Sequence, residues 1–155
     1  MIESNPVVLL VEDDTNTIRA LRLSLLKAGF GNKVLEAHDG QEAVDYLRGE
    51  GEFSNRLRYP LPQLILLDLK LPRMDGFEFL KWLRAWPPGK FIPVVVLTTA
   101  MMASDLVEAY NAGASSYVLK GADAHELVEQ LTGIGSVWLR GGAKVPSSDV
   151  QLSVF

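Results

Sequence analysis

The sequence predicts a single α/β domain built around a parallel β-sheet. Short apolar runs alternate five times with segments whose apolar residues recur at helical spacing. The runs are apolar throughout, which is typical of strands that helices cover on both faces. The chain has 155 residues, a formal net charge of −4 and no cysteine, which suits one domain folded without disulfides.

The first half of the chain contains two strand–helix units. Residues 6–11 (PVVLLV) predict a strand, and residues 15–28 predict a helix from the positions of Ile18, Leu21 and Leu25, with Gly29 as its stop. Residues 33–37 (KVLEA) predict a weaker strand. Residues 40–48 repeat the helical spacing with Ala43, Val44 and Leu47.

The second half contains three units. Strands are predicted over residues 64–69 (LILLDL), 92–98 (IPVVVLT) and 116–120 (SYVLK). Helices are predicted over residues 76–86, with Phe77, Leu80 and Leu83 facing inward, over residues 104–112, and over residues 123–139, with Leu127, Leu131, Ile134 and Trp138 on one side. On the first of these helices, Phe79, Trp82 and Trp86 fall outside the inward stripe and are expected to pack under neighbouring loops.

Two segments lie outside this alternation. Residues 49–62 (GEGEFSNRLRYPLP) form a polar loop that is longer than most connections. Residues 140–155 follow the last helix and contain glycine, proline and serine, so we divide the chain into a domain at residues 1–139 and a tail at 140–155. Within the tail, residues 148–154 alternate apolar and polar side chains as strands do.

Composition also narrows the class of function. The negative net charge disfavours a general nucleic-acid-binding surface. No stretch approaches the roughly 18 apolar residues of a membrane span, and the N-terminus carries an early acid rather than the basic segment of a secretory signal. We therefore expect a cytoplasmic protein that contacts neither nucleic acid nor a membrane directly.

Charged and hydroxyl side chains stand at the carboxyl ends of four predicted strands. The first strand ends in Glu12, Asp13 and Asp14, the third in Asp68, the fourth in Thr98 and the fifth in Lys120. Ligands of open parallel sheets bind beyond these ends, where the strand order reverses. If the first and third strands are neighbours, three carboxylates crowd together there.

Such crowding requires positive charge. Two like charges ~4 Å apart repel by roughly 4 kcal/mol at an effective dielectric constant of 20. Mg²⁺ prefers oxygen ligands and often bridges carboxylates to a phosphate oxygen, and Lys120 offers a second cation. Acids, a lysine and a hydroxyl together suit a phosphoryl group, with Asp68 as the nucleophile that forms an aspartyl phosphate.

Each residue taken alone has a simpler interpretation. Asp13 or Asp14 can cap the helix that follows, Asp68 can be a turn residue, and Lys120 and Thr98 can be a solvated surface lysine and strand filler. Their joint occurrence at the ends of different strands favours a site. His38 and His125 lack companions at ligand spacing and are expected at the surface or the edge of the core.

Four motifs in this order resemble the receiver domain of two-component response regulators: VLLVEDD, LDLKLPRMDG, VVVLTT and AGASSYVLK. The resemblance covers roughly residues 6–139. It implies a flavodoxin-like fold, a doubly wound sheet of five parallel strands in the order 2-1-3-4-5. The strand pattern by itself leaves that order open.

The resemblance further implies a role for each site residue. Asp68 accepts the phosphoryl group, Lys120 pairs with the phosphoryl oxygens, and Thr98 moves to hydrogen-bond them while Tyr117 swings inward. The implied Mg²⁺ ligands are Asp13, Asp68, the backbone carbonyl of Lys70 and, through water, Glu12. Pro72 and Gly76 shape the turn over the site, and Gly76 begins the third helix.

Three features depart from the family pattern. Gly121 follows Lys120 where a proline in a cis bond is common. Lys70 and Ala100 occupy positions that tune hydrolysis of the acyl phosphate in the family. We also expect no second, output domain.

The resemblance therefore predicts a single-domain response regulator that takes a phosphoryl group from a sensor histidine kinase or phosphotransfer protein and signals by a conformational change. It is a phosphoacceptor with autodephosphorylation rather than a conventional enzyme. The long 49–62 loop and the ending GSVWL resemble regulators paired with phytochrome-type photoreceptor kinases. The hydrophilic face beside the first helix is the expected docking surface for the kinase.

A homodimer through the fourth helix, fifth strand and fifth helix is also expected. Residues 148–154 can add a strand to a sheet edge or brace a partner; the alternatives are a crystal contact or a tail that lies on its own domain. Two other classes of function stay open. They are a degenerate receiver that serves only for docking or dimerisation, and a metal-dependent phosphoryl-transfer or nuclease domain, which would require a second acid beside Asp68 and a basic track.

Overall fold

Five parallel strands form one sheet in the computed structural model of the chain, which describes residues 7–29, 33–98, 103–120 and 123–138. The strands are β1 (Val8–Val11), β2 (Val34–Ala37), β3 (Leu64–Asp68), β4 (Val94–Thr98) and β5 (Ser116–Leu119). Their order is β2-β1-β3-β4-β5, and every neighbouring pair is parallel. The predicted fold class and strand order are therefore confirmed, with β1 and β3 adjacent at the point where the order reverses.

A helix follows each strand, as predicted. The helices are α1 (Thr15–Lys27), α2 (Gly40–Arg48), α3 (Gly76–Ala85), α4 (Ala103–Ala112) and α5 (Ala124–Trp138), with 3-10 turns at Gly51–Phe53 and Pro87–Gly89. Among the helices in the described part of the chain, none is long and apolar enough to cross a membrane.

Alternate strand residues divide between two cores, one on each face of the sheet. One core contains Val8, Leu10, Leu64 and Leu66 and is covered by α1 and α5, which contribute Leu21 and Leu131. The other contains Leu9, Ile65 and Val96 and is covered by α2, α3 and α4. Both faces of β1, β3 and β4 are buried, which explains why these strands are apolar throughout.

The buried face of α3 is wider than the sequence predicted. Leu80 and Leu83 are fully buried as expected, but Phe77 is only partly buried, and Phe79 is fully buried although it was placed outside the inward stripe. The reason is that α3 lies between α2 and α4 and contacts both, so a helix with two neighbours buries more than one stripe. Trp82 and Trp86 stack on each other at the partly buried edge, with ring centroids 5.1 Å apart.

The 49–62 segment is a packed connection with its own small core. The rings of Tyr46, Phe53 and Tyr59 contact one another at centroid distances of 5.2–5.9 Å. The Arg56 guanidinium donates hydrogen bonds to the carbonyl oxygens of Tyr46 and Tyr59 (2.7 and 3.0 Å) and to that of Leu47. Arg56 therefore caps the end of α2, where the Tyr46 carbonyl also accepts from the N–H of Gly49 at 3.1 Å.

Some predictions concern residues outside the described ranges. These are the Lys120–Gly121 bond, Ala100, and the 140–155 tail with its strand-like segment 148–154.

Candidate functional site

Three charged side chains meet at the carboxyl edge of the sheet, on the face covered by α1 and α5. Val11 of β1 lies opposite Leu67 of β3, so Glu12 and Asp68 are the next pair along the register. Leu10, Leu66 and Val118 all point to this face of the sheet. Because side chains of a strand alternate between faces, the second residue after each of them points the same way. These residues are Glu12, Asp68 and Lys120. The sheet itself thus brings together the acids and the lysine that the sequence singled out.

The distances within the cluster are short. Carboxylate oxygens of Glu12, Asp13 and Asp68 lie within 4.8 Å of one another. The Nζ of Lys120 lies 3.0 Å from Oε1 of Glu12 and 3.3 Å from Oδ2 of Asp68. Glu12 is fully buried and Asp68 is 7% exposed, whereas Asp13 is open to solvent. The cluster therefore has two buried carboxylates and one that is exposed to solvent.

Burial sets the electrostatics of this cluster. Burial raises the pKa of Glu12 to about 7; the charge of Asp68 adds to this effect, and the hydrogen bond from Lys120 opposes it. Burial also lowers the pKa of Lys120, but the contacts with Glu12 and Asp68 outweigh it and leave that pKa above its ordinary value. Lys120 therefore stays protonated, and one ammonium group faces three closely spaced carboxyl groups.

The two consecutive aspartates after β1 have separate roles. Asp14 is the N-cap of α1, where its carboxylate accepts a hydrogen bond from the backbone N–H of Thr17 (3.2 Å). Its own N–H donates to Oε2 of Glu12 at 3.2 Å. Asp13 joins the acid cluster, so the expectation that one of this pair caps the helix is confirmed and assigns Asp14 to the cap.

The β3–α3 loop, residues 69–75, closes over the edge of the site. The N–H of Lys70 donates to Oδ1 of Asp68 (3.2 Å), and the N–H of Gly76 donates to the carbonyl of Leu69 (2.9 Å). A Cβ atom at Gly76 would lie 2.6 Å from the Cα of Leu69, so only glycine permits this closure. Asp75 and Glu78 then form a reciprocal capping box that begins α3 at Gly76, as predicted.

Thr98 and Tyr117 belong to the opposite face of the sheet. Val96, the second residue before Thr98, lies in the core covered by α2, α3 and α4, and it pairs with Tyr117 of β5. Thr98 is 8% exposed, and its carbonyl accepts a hydrogen bond from the N–H of Lys120 at 2.8 Å. The backbones of β4 and β5 therefore link the threonine to the lysine of the acid cluster across the sheet.

One ion pair near the site was not predicted from the sequence. Arg73, in the β3–α3 loop, forms a two-point salt bridge to Asp39, the N-cap of α2, at 2.8 and 2.9 Å. Asp39 followed by glycine at a helix start does signal a cap, but nothing local signals its partner 34 residues away. The histidines are exposed as expected, His38 by 53% and His125 by 85% of their side chains.

Comparisons of the sequence and the fold with known proteins agree on one family. The sequence model of the response regulator receiver domain matches residues 8–132. The chain belongs to the response regulator receiver family. The match spans all five strands and extends into α5, so the receiver fold expected from the four motifs is confirmed.

Several response regulators are similar to this chain along most of its length, and two of them are phytochrome response regulators. Response regulator Rcp1 of Synechocystis sp. is 38% identical over 139 residues, covering 88% of this chain and 92% of its own length. The structure of the phosphorylated cyanobacterial phytochrome response regulator RcpA has a TM-score of 0.80 and 37% identity, covering 92% of this chain and 99% of that one. The bacteriophytochrome response regulator RtBRR has a TM-score of 0.75 and 35% identity, covering 94% and 87%.

Rcp1 has also been solved in a Mn²⁺-bound form, which has a TM-score of 0.76 to this chain at 35% identity and covers 91% of this chain and 99% of that one. In the present chain, the corresponding candidate ligands are the carboxylate oxygens of Glu12, Asp13 and Asp68. Oxygen ligands suit a hard divalent cation, so the donor set fits the class of metal that the relative binds.

Proposed function

We propose that this receiver accepts a phosphoryl group on the carboxylate of Asp68 and signals in its phosphorylated form. The observation that carries the proposal is the position of Asp68 between Lys120, 3.3 Å away, and the carboxylates of Glu12 and Asp13. A carboxylate at the end of a buried strand is held rigidly, and a rigid mount favours in-line attack on phosphorus.

The transfer step needs little more than positioning and neutralisation of charge. One Asp68 oxygen attacks the phosphorus of a phosphohistidine, the P–O bond forms as the P–N bond breaks, and the imidazole leaves with the electron pair and takes up a proton. Lys120 stabilises the negative charge on the phosphoryl oxygens. Water later attacks the same phosphorus, the bond between phosphorus and the Asp68 oxygen breaks, and inorganic phosphate leaves. In this proposal the protein is a phosphoacceptor with autodephosphorylation rather than a conventional enzyme.

We assign Mg²⁺ as the divalent ion of the cluster. Glu12, Asp13, Asp68 and the backbone carbonyl of Lys70 would hold it, with Glu12 acting through water. The bound ion supplies positive charge that offsets repulsion between the acids and the incoming phosphate. Glu12 is fully buried, and among the described residues Lys120 is its only ion-pair partner. A buried carboxylate with so little compensating charge suits a site that binds a further cation.

Thr98 and Tyr117 are proposed as the switch. Thr98 ends β4 beside the site, and its carbonyl is hydrogen-bonded to the N–H of Lys120. A hydroxyl that turns toward a phosphoryl group on Asp68 changes the packing on the α4 face, where Tyr117 is partly buried. Phosphorylation would then stabilise a conformer in which Tyr117 lies further inward.

The phosphoryl donor is proposed to be a phytochrome-type sensor histidine kinase. RcpA and RtBRR, both similar along most of this chain, are named as phytochrome and bacteriophytochrome response regulators. A kinase that autophosphorylates with ATP acts in the cytoplasm, so we propose the same location for the receiver. Transfer of radiolabelled phosphate from such a kinase to wild-type protein, and its absence with Asp68→Asn, tests this pairing.

A homodimer is proposed through α4, β5 and α5. On α4, Val107 is 57% exposed and Tyr110 is 38% exposed, which leaves apolar surface beside the proposed switch residue Tyr117. Sedimentation of the full chain with and without a phosphoryl analogue tests the proposal, because a dimer on this face should respond to the switch. A monomer in both states would remove it.

Incubation with Mg²⁺ and acetyl phosphate tests the central proposal. The wild-type protein should gain about 80 Da in an acid-stable, base-labile adduct, and Asp68→Asn should gain none. Asp14→Asn is the matched control, because asparagine caps helices as well as aspartate does and the acid cluster is intact. Absence of an adduct on the wild type would favour a docking module, and cleavage of nucleic acid would favour the nuclease class.

A further inference from the structure

The β3–α3 loop is tied to α2 at its far end by Arg73 and Asp39. The Nε and Nη2 atoms of Arg73 donate to the two carboxylate oxygens of Asp39 at 2.8 and 2.9 Å. The Asp39 side chain is only 15% exposed, and Oδ1 also accepts from the N–H of Glu42 at 2.7 Å. One carboxylate therefore caps a helix and anchors a loop, and both contacts hold it in place.

A second contact seats the same loop against the same helix end. A Cβ atom at Gly40, the first residue of α2, would lie 2.8 Å from the Cβ of Met74 and would also collide with the Met74 carbonyl. The absence of a side chain at Gly40 thus lets the loop backbone approach the helix. The loop is consequently held by a charged contact at Arg73 and by close backbone packing at the next residue.

The backbone of Arg73 has a conformation that is unusual for a residue other than glycine. Its φ angle is +64°, in the left-handed region that residues other than glycine seldom adopt. Glycine would take this conformation without strain, yet an arginine stands there with its guanidinium on Asp39. A strained backbone that persists beside a functional site is held by its surroundings, and here the two-point ion pair is the visible restraint.

We propose that Arg73 is a positioning residue for the metal site, and that its ion pair with Asp39 fixes the loop that presents the Lys70 carbonyl to Mg²⁺. The inference rests on the proposed function. Lys70 lies three residues before Arg73, and its N–H is already fixed on Oδ1 of Asp68. Fixing the loop at Arg73 limits the directions in which the Lys70 carbonyl can point.

Loss of the ion pair between Arg73 and Asp39 should therefore weaken Mg²⁺ binding although the carboxylates of the acid cluster are unchanged. Outer partners that orient metal ligands typically change affinity by about 10–100-fold when removed. Because the Arg73 side chain is 60% exposed and one carbonyl is only part of the ligand set, we expect the lower end, about tenfold weaker Mg²⁺ binding. At saturating Mg²⁺ the loop is held by the ion itself, so the phosphorylation rate should return close to that of the wild type.

Calorimetric titration of the full-length protein with Mg²⁺ tests the proposal on two independent variants. Asp39→Asn keeps a good helix cap and loses the charged pair, while Arg73→Gly loses the pair and also relieves the backbone strain. Both should bind Mg²⁺ about tenfold more weakly, with urea midpoints near the wild-type value. The double variant should be no worse than either single variant, because both remove the same contact.

Glu50→Gln is the matched control. It removes one carboxylate charge just after α2, where Glu50 pairs with Arg48 at 3.2 Å and both side chains are 51% exposed. Its Mg²⁺ affinity should equal that of the wild type. Unchanged affinity in Arg73→Gly overturns the inference, as does a defect in Asp39→Asn alone, which would assign the effect to the helix cap. A wild-type protein that binds no Mg²⁺ overturns the proposed function and this inference together.

Discussion

The ammonium nitrogen of Lys120 lies 3.3 Å from a carboxylate oxygen of Asp68, and both side chains are nearly buried, at 14% and 10% exposure. Asp68 is the last residue of β3 and Lys120 follows β5, and β4 lies between these two strands in the sheet. Lys120 also contacts Glu12 at 3.0 Å, so a single cation serves both buried acids. Among the described residues, the negative charge at this edge of the sheet is therefore incompletely balanced until a second cation binds.

Lys120→Met should slow phosphorylation of Asp68 by acetyl phosphate by about 100-fold, because removing one preorganised group that stabilises developing charge costs about 10²–10³ in rate. The rate is measured from the mass of the phosphorylated fraction against time at saturating Mg²⁺. Lys81→Met, on the exposed side of α3, is the control for loss of a lysine charge. An equal rate in Lys120→Met and wild type would show that the ammonium group does not face the phosphoryl oxygens.

Mg²⁺ should stabilise the folded protein, and Asp13→Asn should abolish most of that gain. A ligand that binds only the native state at about 100 times its dissociation constant adds about 2.7 kcal/mol to the free energy of unfolding. In a chelator, Asp13→Asn should be at least as stable as the wild type, because it removes one of three mutually repelling carboxylates. Urea unfolding with and without Mg²⁺ measures both effects.

The contrary result would be an Asp13→Asn protein that gains as much from Mg²⁺ as the wild type does. The ion would then bind away from the acid cluster, and the assignment of Asp13 as a ligand would be wrong.

The sequence predicted the elements and the acid cluster because both depend on local pattern. In the described part of the chain, strand and helix periodicity predicted the bounds of the five strands and five α-helices to within about two residues, the usual uncertainty of such boundaries, but not the two 3-10 turns. Asp68 and Lys120 stood out because each ends an apolar strand, and parallel strands end at the same edge. The strand order came from the family resemblance, since alternation alone is compatible with other orders.

The sequence did not predict the contacts that long arginine side chains make with groups distant in the chain. Arg84 donates to carbonyl groups in neighbouring loops, Arg56 donates to carbonyl groups at the end of α2, and Arg73 pairs with the carboxylate of Asp39. An arginine on an amphipathic helix has the same local signature whether it is solvated or folded inward. Such partners depend on the tertiary packing, as does the burial of Phe79 between two helices.

Arg84→Met should lower the free energy of unfolding by about 2–4 kcal/mol, because it removes the guanidinium donor from several partly buried backbone acceptors. The Arg84 guanidinium donates to the carbonyls of Gly113 (2.7 Å) and Ile92 (2.7 Å) and to that of Gly89. It thereby joins α3 to the strand entry at β4 and to the end of α4. Its pKa is lowered by burial, yet the guanidinium stays charged at neutral pH.

Urea unfolding of Arg84→Met beside Lys81→Met measures this contribution. Both substitutions remove one cation from α3, and the exposed lysine should change stability by no more than about 0.5 kcal/mol. If the two variants were equally stable, the carbonyl contacts of Arg84 would contribute nothing net to folding.

Tyr46→Phe should be less stable than the wild type at neutral pH and should lose that disadvantage as the pH rises. The Tyr46 hydroxyl is fully buried and donates to the carbonyl of Pro60 at 2.8 Å, so its removal should cost about 1 kcal/mol at pH 8. Burial raises the pKa of Tyr46 to about 12, with the Arg56 charge opposing this shift and Tyr59 adding to it.

The sign of the pH effect follows from that raised pKa. Below about pH 10, the ordinary tyrosine value, the phenol is neutral in both the folded and unfolded states, and its full contribution to stability is present. Between about pH 10 and pH 12 the unfolded chain ionises while the folded protein does not, so the wild type loses about 1.4 kcal/mol per pH unit that the phenylalanine variant keeps. The two stabilities should therefore converge and cross near pH 11 in urea titrations. Curves that stay parallel from about pH 8 to pH 11 would mean that Tyr46 ionises equally easily in the folded protein, against its burial beneath the 49–62 segment.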